Sequence, residues 1–149
     1  MKRIVVGVDG SDASKAALAW AADEAELRGT DVLALLAWMP TVAVAGPWPA
    51  IVPVSVPEEV EQAADATLAA VVDEVLGEEP KVHVVERVVH GAAAPALVEA
   101  AGHAELLVVG SRGLGGFSGM LLGSVSHQCA QHASCPVVIV RRISRGDGY

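Results

Sequence analysis

Apolar positions along the chain fall into short runs of β-branched and other large aliphatic residues, separated by stretches in which small apolar residues recur at helical spacing. Ile4 to Val8 is the first run, and Gly10, Ser11 and Asp12 follow it as residues that turn a chain and cap a helix. The spacing predicts a helix from about Ala13, with Ala17, Trp20, Ala21 and Glu24 in register and Gly29 as its stop. Val32 to Trp38 reads as a second buried strand. Helix resumes near Glu58 and continues through Gln62, Ala66, Ala69, Ala70, Asp73 and Leu76 until Gly77 and Pro80 end it. Val82 to Val89 predicts the third strand, with Gly91 turning the chain. Pro95 suits the first turn of a third helix, where its missing N–H forfeits no hydrogen bond, and Gly102 closes that helix. Leu106 to Val109 is the fourth strand, Ser124 to Ala133 a fourth helix capped by serine or glycine, and Pro136 to Val140 the fifth strand.

Strands alternating with helices predict parallel βαβ units, and right-handed crossovers leave an α/β, doubly wound open sheet of five strands with helices on both faces. Residues 1–149 are read as a single domain, because the pattern has no second copy and no low-complexity tract interrupts it.

Composition changes this picture in two places. Val32 to Pro57 carries no charged side chain and is long enough to cross a bilayer, but Pro40, Pro47, Pro49, Pro53 and Pro57 would leave backbone groups unpaired in hydrocarbon. A strand followed by an apolar surface loop is the expectation, with no membrane partner. The net charge of −8 argues against a nucleic-acid footprint, which needs a basic surface; the basic cluster here is Arg141, Arg142 and Arg145. Two cysteines, Cys129 and Cys135, are too few for a disulfide framework, and no signal-peptide pattern precedes Ile4, so a reducing, cytoplasmic setting is expected.

In doubly wound sheets ligands bind outside the carboxyl ends of the strands, where connections diverge to opposite faces. The first strand ends at Asp9, Gly10 and Ser11; the fourth runs into Gly110-Ser111-Arg112-Gly113 and, later, Gly123-Ser124-Val125-Ser126. Glycines let backbone amides approach a phosphate, and a helix starting after Gly123 offers unpaired amides and the positive end of its dipole, with Ser124 and Ser126 adding hydroxyls. The same glycines are also what a simple loop needs, and Ser124 is also what a helix cap needs. Two competing phosphate motifs are absent: no glycine is followed by lysine, which excludes a P-loop, and Ser118 stands where a dinucleotide fingerprint beginning at Gly113-Leu114-Gly115 requires glycine.

Read as Gly-x2-Gly-x9-Gly-Ser, residues 110, 113, 123 and 124 resemble the nucleotide-binding signature of the ATP-binding branch of the universal stress protein family. The opening Ile-Val-Val-Gly-Val-Asp-Gly-Ser, the strand Leu106 to Gly110 and the closing Cys135-Pro136-Val137-Val138-Ile139-Val140 are similar to the family's framing segments. The resemblance implies an adenine nucleotide α-hydrolase-like sheet of strand order 3-2-1-4-5. It also implies that Asp9 bonds the sugar or base with Val8 beside it, that Ala37 contacts adenine through its backbone, and that Val109 and Gly110 touch the sugar. Gly113, Gly123, Ser124, Val125 and Ser126 would then surround the phosphates of ATP, with any magnesium ion held by phosphate oxygens and water. Asp9 has a second reading, as a cap of the first helix, and Trp38 is expected to cover core rather than to meet the base.

No catalytic and no metal-ligating residues are assigned. His127, Cys129, His132 and Cys135 are zinc-ligand types, but His127 and Cys129 are two apart on a helix and face different directions, so Cys129 reads as a buried, inert thiol. The functional expectation is a nucleotide-binding regulatory protein of the stress response, a homodimer through the edge strand Pro136 to Val140. A slow ATP hydrolase and a nucleotide-independent partner-binding module that uses the apolar loop with Trp48 and Ile51 remain as alternatives.

Overall fold

Ile4, Val5 and Val6 are completely buried at the centre of a sheet, and the remaining elements are arranged around them. The structure is a computed structural model that describes residues 2–39, 58–113 and 122–141. In chain order it comprises β1 (Arg3–Gly7), α1 (Asp12–Arg28), β2 (Asp31–Trp38), α2 (Glu58–Leu76), β3 (Val84–His90), α3 (Ala93–Ala100), β4 (Leu106–Gly110), α4 (Ser124–His132) and β5 (Val137–Val140). A 3-10 turn, Ala101–His103, extends α3. The five strands form one sheet in the order β3-β2-β1-β4-β5, and all neighbours are parallel. The expected fold, strand number and strand order are all observed.

Strand side chains alternate between two cores, as the pleat requires. Ile4 and Val6 of β1, with Val32, Ala34 and Leu36 of β2, pack against Ala17, Leu18 and Ala21 of α1 and Leu68 and Val72 of α2. Val5, Leu33, Leu35 and Leu107 point the other way, toward Leu97 of α3 and Cys129 of α4. Burying both faces of the central strands explains why β1, β2 and β4 read as unbroken apolar runs instead of alternating ones.

Helix ends follow the local chemistry. Ser11 caps α1, its side chain accepting from the Ser14 N–H at 3.2 Å, and Gly29 ends the helix at φ 63°, a left-handed conformation that costs glycine little. Glu58, Glu59 and Glu61 occupy the first turn of α2, where they complement the helix dipole. Lys15 of α1 bonds Glu74 of α2 at 3.0 Å across the helix pair.

Element boundaries differ from expectation by one or two residues at every strand, most at β1 and β3. β1 begins at Arg3, which pairs with Asp31 at the start of β2, and β3 begins at Val84, not Val82. β3 lies at an edge with Val85, Glu86 and Arg87 exposed, so burial imposes less pattern on its sequence. The loop expected over Met39 to Val56, with Trp48 and Ile51, lies outside the described residues apart from Met39, as do Arg142 and Arg145.

Candidate functional site

At the carboxyl ends of β1, β2 and β4 the connections part and leave a cleft of about 310 Å³. That volume is at the lower end of the range of small-molecule sites. Its first wall is the turn between β1 and α1. Val8 is buried and its N–H bonds Leu35 O at 2.9 Å, which sends the chain past the sheet into Asp9. Asp9 Oδ1 accepts from the Ser11 N–H at 2.9 Å and from Ser11 Oγ at 2.5 Å, and the Asp9 N–H donates to Ser14 Oγ at 3.3 Å. Ser14 Oγ in turn donates to Ser11 O at 3.0 Å. The cap of α1 is therefore Ser11, and Asp9 holds the capping residue in place while its carboxylate borders the cleft.

The second wall leaves β4. Gly110 lies against the first turn of α1: a Cβ there would meet the Ala13 carbonyl carbon at 2.7 Å, so glycine is what allows β4 and α1 to approach. Ser111 N–H bonds Val140 O at 2.8 Å, and Ser111 O accepts from the Gly123 N–H at 2.6 Å. Gly113 then passes beneath the Asp9 carboxylate.

The third wall is the start of α4. Its N-cap is Gly123, which supplies no side-chain bond, so the choice between serine and glycine resolves to glycine. The N–H groups of Ser124, Val125 and Ser126 form the first helical turn, where an α-helix provides no backbone acceptor. Ser126 is 2 % exposed, and its hydroxyl points inward to Ser111 O at 3.1 Å and Gly123 O at 3.0 Å. The Ser126 hydroxyl, expected to be offered to a ligand, is engaged here by the loop, and the residue borders the cleft. The cleft floor is apolar, formed by Ala37, Val109 and Leu97 among others.

All ten residues singled out from the sequence line this one cleft: Val8 and Asp9 on the first wall, Ala37 and Val109 on the floor, Gly110 and Gly113 on the second wall, and Gly123, Ser124, Val125 and Ser126 on the third. Ser11, Ser14 and Leu97, which the sequence did not mark as site residues, and Arg112, whose charge could serve the phosphates but which was expected to point to solvent, line it too. Ser11 was visible as a cap residue and Arg112 lies inside the glycine motif, whereas nothing in the local sequence of α3 marks Leu97.

Trp38 faces the opposite side of the sheet from Ala37 and packs on the α1 and α2 core, its ring 4.7 Å from that of His90. Cys129 is fully buried, and burial pushes its thiol up to about 11 from an ordinary 9.0. Among the described residues no group of three His, Cys, Asp or Glu side chains is placed to hold a metal ion, and no helix is long and apolar enough to cross a membrane.

The model of the universal stress protein family matches residues 1–141. The chain belongs to the universal stress protein family. A universal stress protein of Mycolicibacterium smegmatis is 44% identical over 138 residues, covering 93% of this chain and 45% of that protein. One from Mycobacterium tuberculosis is 41% identical, with 93% and 44% covered. The chain thus spans less than half the length of the curated relatives it matches. Among solved structures, a universal stress protein in complex with cAMP is 30% identical at a TM-score of 0.65, with 94% of this chain and 96% of that one covered. A universal stress protein from Lactobacillus plantarum shares the fold at a TM-score of 0.71 and 21% identity, with 94% and 97% covered.

Proposed function

We propose that the cleft binds an adenine nucleotide, ATP, and that the chain works as a regulatory binding module whose occupancy is read by other molecules. The observation that carries this reading is the convergence of three features in one cleft: an apolar floor, a glycine-lined wall and a helix start with no side-chain cap. An uncapped helix start offers three amides and a positive dipole end to a phosphate, while the floor suits a purine ring. Support for the adenine part comes from the 30% identical relative whose structure holds cAMP. A magnesium ion accompanying ATP would rest on phosphate oxygens and water, since Asp9 already bonds Ser11 and no second carboxylate is among the described lining residues.

The same reading includes a homodimer built on β5. Val137–Val140 is an apolar strand at the sheet edge, half-buried and paired on one side by β4 alone among the described residues, which is the kind of edge that proteins cover. A cytoplasmic setting is part of it, motivated by the two free cysteines.

Calorimetric titration of ATP into the wild type and Gly123→Val tests the nucleotide reading. A Cβ at Gly123 already sits 3.4 Å from the Arg112 Cα, so the branched side chain must crowd the loop or fill the cleft mouth. ATP binding to the wild type that is lost in Gly123→Val supports the reading, and no heat with any adenine nucleotide refutes it. Chromatography of the bound nucleotide after prolonged incubation separates the module, which retains ATP, from a slow hydrolase, which accumulates ADP or AMP.

A further inference from the structure

A polyphosphate approaching this chain meets an unfavourable overall field, because the net charge is −8. Within the cleft the described lining carries one acidic side chain, Asp9, and one basic side chain, Arg112. The backbone on either side of Arg112 is fixed. Ser111 bonds β5 through its N–H and accepts from Gly123 and Ser126 through its carbonyl, while Gly113 is held under Asp9. The Arg112 Cα lies 3.4 Å from where a Cβ on Gly123 would stand, which roots the arginine at the N-cap of α4. The base of the Arg112 side chain therefore lies beside the helix start, and the exposed side chain gives up little hydration in turning toward an anion there.

The two sources of positive potential do different things. A helix start binds any phosphate, a cyclic diester included, through neutral amides. A guanidinium adds charge-assisted, bidentate bonds to whichever phosphate it can reach: charge separates a terminal phosphate of about −2 from a cyclic diester of about −1, and reach separates the outer phosphates of ATP from the single phosphate of AMP, which the helix amides hold. Resting on the nucleotide reading above, we propose that Arg112 sets the phosphate-number preference of the cleft, closing over the outer phosphates so that nucleoside triphosphates are favoured over AMP and cAMP.

The test is titration of adenosine, cAMP, AMP and ATP into the wild type, Arg112→Gln and Arg112→Lys, at two salt concentrations, with thermal melts showing that the variants fold. The expected result is that Arg112→Gln weakens ATP by about tenfold, the size of one lost charged hydrogen bond. Adenosine, cAMP and AMP should change by less than about twofold, Arg112→Lys should keep an intermediate ATP affinity, and the salt dependence of ATP binding should flatten in Arg112→Gln. Equal weakening of all four ligands, or an undiminished ATP preference in Arg112→Gln, overturns the proposal and leaves the nucleotide reading intact. A wild type that binds none of the four overturns both.

Discussion

The Asp9 carboxylate lies over the Cα of Gly113, so closely that a Cβ built there would come 2.5 Å from Oδ2. Gly113 is thus constrained by a neighbour within the chain and not solely by the approach of a ligand. Because Oδ1 of the same carboxylate is bonded to Ser11, the group has little room to turn aside.

Gly113→Ala should therefore destabilise the protein by about 1–3 kcal/mol, the usual cost of overpacking. In an Asp9→Ala background the same substitution should cost less, with a coupling of about 1 kcal/mol or more in urea-denaturation midpoints. Strict additivity of the two changes would show that the contact does not constrain the loop.

Two other glycines invite a direct comparison. A Cβ at Gly110 meets Ala13 backbone at 2.7 Å, whereas one at Gly7 meets a Leu97 methyl at 2.9 Å. Backbone of a packed helix cannot yield, but a leucine can change rotamer, so Gly110→Ala should cost about 3 kcal/mol and Gly7→Ala about 1 kcal/mol. Denaturation midpoints in the reverse order would contradict the packing described.

Removing the α1 cap has an effect here beyond the usual one. Ser11→Ala should lower stability by about 1 kcal/mol through loss of the bond to the Ser14 N–H. It also removes the hydroxyl bond to Asp9, so nucleotide affinity should fall along with the melting temperature. Leu27→Ala, a change at an exposed position of the same helix, should leave both unmoved and serves as the control. Unaltered affinity in Ser11→Ala would show that the Asp9 carboxylate keeps its place without the cap.

Cys129 makes the protein sensitive to alkali. Its folded value of about 11 lies above the ordinary 9.0, so between those values the unfolded chain has lost a proton that the folded chain keeps. Stability from this group is complete below pH 9 and declines as pH rises toward 11, by up to about 3 kcal/mol in all. Cys129→Ala should flatten that part of the stability profile; an unchanged slope would mean that Cys129 is not its source. Native protein at pH 8 should also resist alkylation at Cys129 far better than urea-unfolded protein.

The fold was legible because both faces of β1, β2 and β4 are buried, which forces long apolar runs, and because Gly29 and Ser11 mark helix ends by mechanisms that act locally. The strand starts at Arg3 and Val84 were not, because pairing there depends on the register with β2, which carries no mark in the neighbouring residues. The glycine motif and its resemblance pointed to the right strand ends. What they left out was the inward turn of the Ser126 hydroxyl, the place of Leu97 on the floor, and the anchoring of Arg112 beside Gly123, all of which arise from elements distant in sequence meeting in space.

The carbonyl of Ser111 receives both the Gly123 N–H and the Ser126 hydroxyl, which fastens the departing and returning ends of the chain to each other at the sheet. A clasp at the neck separates the fate of the cradle from that of the intervening residues. Lengthening the segment between 113 and 122 then adds mainly a closure entropy that grows slowly, by about 0.6 kcal/mol per doubling. An insertion there should leave the amides that face the cleft where they are.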